Sequence, residues 1–128
     1  MLLRKEFTFD AAHNLVRYHG KCESLHGHTY RLAVVLEGTP GDEGMILDFI
    51  ELSRIVKERV VSKLDHAYIN DIIEQPTAEN IALWVWEQIE RDVLRPNARL
   101  SLVEVWETAS SCVTLRAEDF DAMRELEL

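Results

Sequence analysis

Hydrophobic and polar side chains alternate along residues 4–13, where Phe7, Phe9 and Ala11 lead to His13 on one face. A period of two residues predicts a β-strand. Residues 14–25 have the composition of a loop, and a strand rich in valine and leucine is predicted over residues 25–37. A final strand pair is predicted over residues 99–108 and 112–117, joined by a short turn.

The middle of the chain changes to a helical period. Asp48 is suited to cap a first helix, and Thr77 after Pro76 a second one that ends before Pro96. The two apolar stripes are Phe49, Leu52, Val56, Val60 and Leu64, then Ala78, Ala82, Val85, Ile89 and Val93. The order β-β-α-α-β-β predicts one α+β domain over residues 1–128, a four-stranded antiparallel sheet with two helices on one face.

The predicted strand of residues 99–108 is apolar on both sides. Leu100, Leu102 and Trp106 are expected on one face, and Val103 and Val105 on the other. Two helices cover only one face of a sheet, so we expect the second face to close against other subunits. The sequence therefore predicts an oligomer.

Composition and charge narrow the classes of function. Hydrophobic residues make up 47% and charged residues 29%, as in ordinary globular domains. No segment approaches the roughly 20 apolar residues of a membrane span, and no signal peptide is evident, so a cytoplasmic location is expected. A net charge of −9 argues against nucleic acid and anionic membranes as partners. Of the two cysteines, Cys112 is expected to be a small buried hydrophobe.

Three histidines have the spacing of a metal site. His26 and His28 are two residues apart on a strand, so they share a face, and His13 ends the strand before the loop. If the strands pair antiparallel, the three imidazoles meet at one end of the hairpin. A single strand histidine is more often an ordinary polar group, but three convergent ones favour a metal. Zinc is the favoured metal, although copper, nickel or iron would also suit three imidazoles. Three protein ligands leave one position of the metal open, as in a catalytic site.

Four other side chains are candidates for chemistry. Cys22 lies in the loop beside the histidines, where positive charge would favour its thiolate, although an inert loop cysteine is an equal alternative. Asp65 next to His66 is a candidate proton-transfer pair or simply a polar helix end. Since neighbouring side chains usually point apart, Asp65 supporting another group is a further alternative. Glu107 ends a strand, where it is either solvated or paired with a planar donor such as guanidinium or the similar fork of a 2-amino-4-oxo pyrimidine.

Six short strings in this chain resemble the 6-pyruvoyltetrahydropterin synthase superfamily over roughly residues 4–108. They are FDAAH at 9–13, CESLHGH at 22–28, GMILDF at 44–49, LDH at 64–66, PTAEN at 76–80 and ET at 107–108. The resemblance is closest to the 6-carboxytetrahydropterin synthase branch of the queuosine pathway, because only three residues separate Cys22 from His26.

The resemblance implies a fold and a site. The fold is the tunnelling fold (T-fold), in which three subunits pool their sheets into a barrel and two trimers form a homohexamer with sites between subunits. Carried over by position, the zinc ligands are His13, His26 and His28, the proton acceptor is Cys22, its relay is Asp65 and His66, and the pterin anchor is Glu107, with Thr108 beside it in the substrate site. The implied reaction converts 7,8-dihydroneopterin triphosphate to 6-carboxy-5,6,7,8-tetrahydropterin, acetaldehyde and triphosphate.

Two alternatives stay open at the level of the sequence. One is a pyruvoyl-forming or hydroxymethyl-forming enzyme that acts on the same substrate. The other is a zinc-containing scaffold that binds pterins without converting them. Cys22 together with Asp65 and His66 argues against the scaffold, because a binding protein has no use for an acid–base set.

Overall fold

The computed structural model describes residues 1–126 and contains one four-stranded antiparallel sheet. The strands are β1 (Leu2–His13), β2 (His26–Gly38), β3 (Ala98–Thr108) and β4 (Ser111–Arg116). They pair in chain order, β1-β2-β3-β4, so each strand lies beside its neighbour in sequence. The α+β class and the four predicted strands are confirmed.

Two α-helices and a short 3₁₀-helix (Ile69–Asp71) lie between β2 and β3. Helix α1 (Phe49–Val56) continues through a π-helical turn (Lys57–Val61) into a last turn (Ser62–Leu64). Asp48 caps α1 because its carboxylate accepts a hydrogen bond from the backbone N–H of Ile50.

Helix α2 (Ala78–Val93) is capped by the Thr77 hydroxyl, which accepts from the N–H of Asn80. Both caps agree with the sequence. Together the helices bury one face of the sheet in a single core, which includes Leu32, Trp86 and Val103. No helix within residues 1–126 is long and apolar enough to cross a membrane.

The structure corrects two helical predictions. Phe49 was expected in the buried stripe but is 55% exposed, because helical side chains lean towards the N-terminus and the first residue projects past the helix end. A third helix, α3 (Ala117–Leu126), follows β4 and was not predicted. Its buried side chain is Phe120, which stacks on Trp86 with the ring centroids 5.3 Å apart. A single apolar anchor gives too weak a period to indicate a helix from sequence.

A β-bulge changes which face Leu100 occupies. Val35 pairs with Leu102, but Leu36 pairs with Leu100, so Ser101 is an extra residue in β3. The bulge turns Leu100 into the core with Val103, and the prediction that Leu100 shares a face with Leu102 is wrong.

The face of the sheet away from the helices, here called the outer face, mixes charge with apolar area. Arg4 Nη1 lies 2.6 Å from Glu104 Oε1, and the Arg31 guanidinium lies 3.9 Å above the Trp106 ring. Cys112 pairs with Trp106 on this face and is exposed, so its predicted burial is wrong. The reason is that β4 is an edge strand whose outer face no other element covers within residues 1–126.

Candidate functional site

The register of the first hairpin brings the three histidines together. His13 pairs with His26, and Ala11 pairs with His28, so all three imidazoles lie on the core face at one end of β1 and β2. Ring centroids are 4.7 Å apart for His13 and His26, and 5.1 Å apart for His13 and His28. With Glu107, the three offer ligand atoms that all lie within 4.8 Å of one another. We call these four residues the imidazole site.

Backbone carbonyls fix the orientation of two of the rings. His13 Nδ1 donates to the carbonyl of Pro76 at 2.8 Å, and His26 Nδ1 donates to the carbonyl of Ser24 at 2.9 Å. A carbonyl only accepts, so the Nδ1 atoms carry the hydrogens and each neutral ring keeps its lone pair on Nε2. The two Nε2 atoms face each other at 3.1 Å. Two lone pairs so close repel each other unless a proton or a metal ion lies between them, and support through Nδ1 is typical of metal-binding histidine.

The third histidine, His28, also indicates a metal site. His28 Nε2 is buried without a hydrogen bond, although Glu107 Oε1 lies 3.2 Å away. Burial lowers the pKa of His28 below its usual value and outweighs the opposite effect of Glu107, so the ring stays neutral. A neutral nitrogen with no partner is ready to bind an ion. The donor set therefore fits a metal that accepts imidazole nitrogen and carboxylate oxygen.

A tyrosine that sequence reasoning missed packs beside these rings. Tyr30 is fully buried, with its ring centroid 5.4 Å from that of His28 and 5.9 Å from that of His13. Its hydroxyl has no hydrogen-bond partner within residues 1–126. Burial raises the pKa of Tyr30, so the hydroxyl keeps its proton. Its position two residues after His28 on the same strand face is the signal that could have identified it.

Glu107 and Thr108 end β3 next to the three histidines. The pairing of β3 with β4 shifts between Trp106 and Thr108, which interrupts the regular ladder at Glu107. The Glu107 side chain remains 32% exposed while it approaches His28, so it faces both the site and solvent. Thr108 is exposed, and its hydroxyl accepts from the N–H of Ser110 at 3.4 Å. The Glu107 carboxylate is thus one of the possible metal ligands, whereas the Thr108 hydroxyl is engaged with Ser110.

Cys22 lies in the loop that joins β1 and β2. Its thiol is exposed, and Sγ donates to the carbonyl of Val16 at 3.5 Å. It is not one of the donors gathered around the histidines. The adjacent Glu23 is closer to them, because Glu23 Oε1 lies 3.7 Å from His26 Nδ1 and accepts from the N–H of Leu15 at 3.2 Å. Sequence reasoning missed Glu23, although it precedes His26 by only three residues.

Asp65 and His66 form a second cluster with Asp10, here called the outer acid–base group. Asp65 Oδ1 lies 3.1 Å from His66 Nδ1 and accepts from the N–H of Asp10 at 3.0 Å. The expectation that the neighbouring side chains point apart is wrong, because His66 has a φ of 59° and this left-handed turn reverses the chain. The hydrogen bond from the Asp10 N–H lowers the pKa of Asp65, with a smaller contribution from His66.

The outer acid–base group opens onto a groove of about 600 Å³. The groove is lined by residues that include Asp10, Ala12, Gly27, Thr29, His66 and Tyr68. His66 and Asp65 make no hydrogen bond to Cys22 in the part of the chain that the structure describes. Within one chain the predicted thiol therefore lies apart from its predicted relay, and their shared role stays a prediction.

Comparison with known proteins identifies the family. The model of the family described as 6-pyruvoyl tetrahydropterin synthase matches residues 2–118. The chain belongs to this family. Among its relatives, a 6-carboxy-5,6,7,8-tetrahydropterin synthase of Synechocystis sp. is 39% identical over 117 residues, which cover 86% of this chain and 88% of the relative.

Two further family members show how widely the similarity extends. A dihydroneopterin monophosphate aldolase of Pyrococcus furiosus is 43% identical over 100 residues, which cover 78% of this chain and 83% of the relative. The solved structure of Caenorhabditis elegans 6-pyruvoyl tetrahydropterin synthase matches with a TM-score of 0.77 and 23% identity, covering 91% of this chain and 95% of that one. At this identity the structural match shows the fold alone, and it confirms the T-fold.

Proposed function

We infer that this chain is a zinc-dependent 6-carboxy-5,6,7,8-tetrahydropterin synthase of queuosine biosynthesis. Its substrates would be 7,8-dihydroneopterin triphosphate and water, and its products 6-carboxytetrahydropterin, acetaldehyde and triphosphate. The inference is carried by the imidazole site, where the Nε2 atoms of His13 and His26 face each other at 3.1 Å and His28 Nε2 is buried without a hydrogen bond. The family membership and the 39% identity to a synthase of this name supply the substrate class.

His13, His26 and His28 would hold the zinc ion. When bound, zinc supplies a Lewis acid that polarises side-chain oxygens of the substrate and acidifies the adjacent C–H. The Cys22 thiolate would take that proton, because its thiol is exposed in the loop next to the ligands. His66, oriented by Asp65 at 3.1 Å, would return protons as the side chain rearranges and triphosphate leaves.

The substrate ring would be held at the end of β3. The Glu107 carboxylate is half-exposed beside His28, so it can accept two parallel hydrogen bonds from the amino group and ring N–H of a pterin. Thr108 would add a polar contact from the same strand end. Glu107 is also near enough to the histidines to be a fourth ligand. We assign it to the pterin because three protein ligands with an open position is the catalytic zinc pattern.

A homohexamer would unite the two clusters. Cys22 and His66 do not meet within one chain, so the proposed relay needs His66 from a neighbouring subunit. The outer face, with Trp106 and the Arg4–Glu104 ion pair, would line the shared barrel. We also propose that the protein is cytoplasmic and that residues 1–128 form a single domain. The proposal includes no nucleic-acid or membrane partner, in keeping with the net charge of −9.

The proposal is tested by product analysis. Purified protein is incubated with 7,8-dihydroneopterin triphosphate, with and without a chelator, and the products are identified by mass spectrometry. Acetaldehyde and the carboxypterin should appear only without chelator. Retention of the whole three-carbon side chain would instead assign the pyruvoyl-forming reaction, and binding without turnover would assign a pterin-binding scaffold.

A second candidate function is an aldolase that leaves a hydroxymethyl group on the pterin. It is favoured by the 43% identity to the Pyrococcus furiosus aldolase and by Glu23, a second acid–base side chain within 3.7 Å of His26. A comparison of Cys22→Ala with Glu23→Gln, each given the triphosphate and the monophosphate of dihydroneopterin, separates the two. Loss of synthase activity in Cys22→Ala alone supports the first function. Hydroxymethylpterin formation that depends on Glu23 supports the second.

A further inference from the structure

We propose that Asn70 and Gln75 are positioning residues, which fix the Cys22 loop relative to the imidazole site. The proposal rests on the inferred role of Cys22 as proton acceptor. Both side chains belong to the segment between α1 and α2. Neither was singled out from the sequence, because an isolated amide gives no sign of which backbone it will meet.

The two amides act on the start of the loop as a neighbouring strand would. Asn70 Oδ1 accepts from the N–H of Asn14 at 3.0 Å, and Asn70 Nδ2 donates to the Asn14 carbonyl at 2.8 Å. Gln75 Oε1 accepts from the N–H of Val16 at 2.7 Å and from that of Arg17 at 3.2 Å. Gln75 Nε2 donates to the Arg17 carbonyl at 2.8 Å. The loop backbone thus obtains from side chains the partners that it lacks as irregular structure.

The clamped residues in turn hold the end of the loop that carries the thiol. Val16 accepts from Cys22 Sγ at 3.5 Å through its carbonyl, and Leu15 accepts from the N–H of Glu23 at 2.8 Å. Glu23 Oε1 closes the same turn by accepting from the N–H of Leu15 at 3.2 Å. A displacement of residues 14–17 would therefore displace Cys22.

The same segment also sets one of the metal ligands. The carbonyl of Pro76, next to Gln75, accepts from His13 Nδ1 at 2.8 Å. The Gln75 carbonyl is fixed by Asn80 Nδ2 of α2 at 2.8 Å. A single short segment, tied to α2, thus orients His13 through its backbone and the Cys22 loop through its side chains. This common support fixes the position of the Cys22 thiol relative to the His13 ring.

The decisive comparison is Gln75→Met against Gln88→Met. Methionine keeps the length of glutamine and removes both polar groups. Gln88 is a matched control because, within residues 1–126, its side chain makes a single hydrogen bond, accepted from Lys63 Nζ at 3.4 Å. We expect Gln75→Met to lower kcat by about 100-fold with KM within about twofold, because a misplaced reacting group costs rate rather than binding. Zinc content should be unchanged, and Gln88→Met should match the wild type.

Hydrogen exchange gives a readout that does not depend on activity. In Gln75→Met the amides of Val16, Arg17 and Glu23 should exchange about tenfold faster than in the wild type, while amides in the core strands keep their rates. Unchanged exchange at these amides would overturn the clamp. Faster exchange with unchanged kcat would overturn the positioning role.

Two further outcomes, an inactive wild type and an unfolded Gln75→Met variant, have their own readouts. A wild-type protein without turnover would refute the proposed function, and the exchange rates would still decide whether the clamp exists. If Gln75→Met fails to fold, Gln75→Glu replaces it, because the carboxylate keeps the two accepted bonds and loses only the donor to Arg17. The positioning role then requires kcat of Gln75→Glu to fall while its zinc content stays at the wild-type level.

Discussion

Two clusters of titratable side chains lie near the same end of the first hairpin, and they differ in which of their polar atoms have hydrogen-bond partners. In the imidazole site, backbone carbonyls occupy the Nδ1 side of His13 and His26, and the Nε2 side is left facing inwards. In the outer acid–base group, Asp65 Oδ1 is already paired with the Asp10 N–H and His66. In both clusters the possible ligand atoms lie within 4.8 Å of one another, but only the first presents a buried nitrogen without a hydrogen-bond partner within residues 1–126.

The comparison shows that closeness of donors does not by itself define a metal site. A buried lone pair without a partner costs free energy, so the imidazole site is suited to bind an ion. Exposed groups that satisfy one another gain little from an ion, and they keep the solvent access that proton transfer needs. The two clusters should therefore respond differently to substitution.

The largest effect is expected from His28→Ala. Removal of one of three ligands should abolish stoichiometric zinc binding and lower activity by about 1000-fold, which corresponds to the several kcal/mol of Lewis-acid stabilisation lost. Zinc per chain is measured by mass spectrometry of the metal after dialysis. The matched control is His66→Asn in the outer acid–base group, which should keep its zinc. Equal zinc loss in both variants would remove the distinction between the clusters.

A smaller effect is expected on activity in His66→Asn. Asparagine tolerates the left-handed backbone that His66 adopts, so the change removes the imidazole without straining the turn. We expect kcat to fall by about 100-fold, the usual contribution of one general acid–base group. Steady-state kinetics measure it. A wild-type kcat in this variant would exclude His66 from the reaction.

Glu107→Gln tests whether the carboxylate serves the substrate or the metal. Loss of charge-assisted hydrogen bonds to a pterin should raise KM by about tenfold, with zinc retained. The control, Glu104→Gln, lies on the same strand but on the outer face, where the carboxylate pairs with Arg4, and it should leave KM unchanged. Zinc loss in Glu107→Gln would show instead that Glu107 is a fourth ligand.

The smallest effect concerns stability in acid. The pKa of Asp65 is lowered in the folded protein, so its carboxylate stabilises the fold above the unfolded pKa of about 3.9. That contribution is lost as the pH falls through the folded pKa. Calorimetry below about pH 4 should therefore show Tm falling more steeply in the wild type than in Asp65→Asn. Parallel curves would contradict the stabilising role of this carboxylate.

Much of the fold follows from local sequence. The alternation that ends at His13 and the caps at Asp48 and Thr77 each have a local physical cause, and the structure agrees with them. The predicted face of Leu100 is wrong because one extra residue in a strand exchanges the two faces, and nothing in the sequence marks that residue. Helix α3 was not predicted because its packing depends on a contact between Phe120 and Trp86, which is distant in sequence.

The site, like the fold, was predicted only in part from the sequence. The spacing of histidines along two strands was enough to predict that His13, His26 and His28 lie together. The supporting groups could not be predicted, because the carbonyl of Pro76 and the amide of Gln75 belong to ordinary residues made important only by tertiary position. The close contact of Asp65 with His66 depends on a positive φ, which the residue types do not specify.

The hydrogen-bonded loop between His13 and His26 has a thermodynamic consequence. An ion held by both residues would close that loop as a cross-link does, and it would bind only the folded chain. Free ion at about 100 times its Kd would add about 2.7 kcal/mol to the free energy of unfolding. That is a large share of the roughly 5–15 kcal/mol typical of a domain. The amount of folded protein in a cell would therefore follow the supply of the metal, before any question of turnover arises.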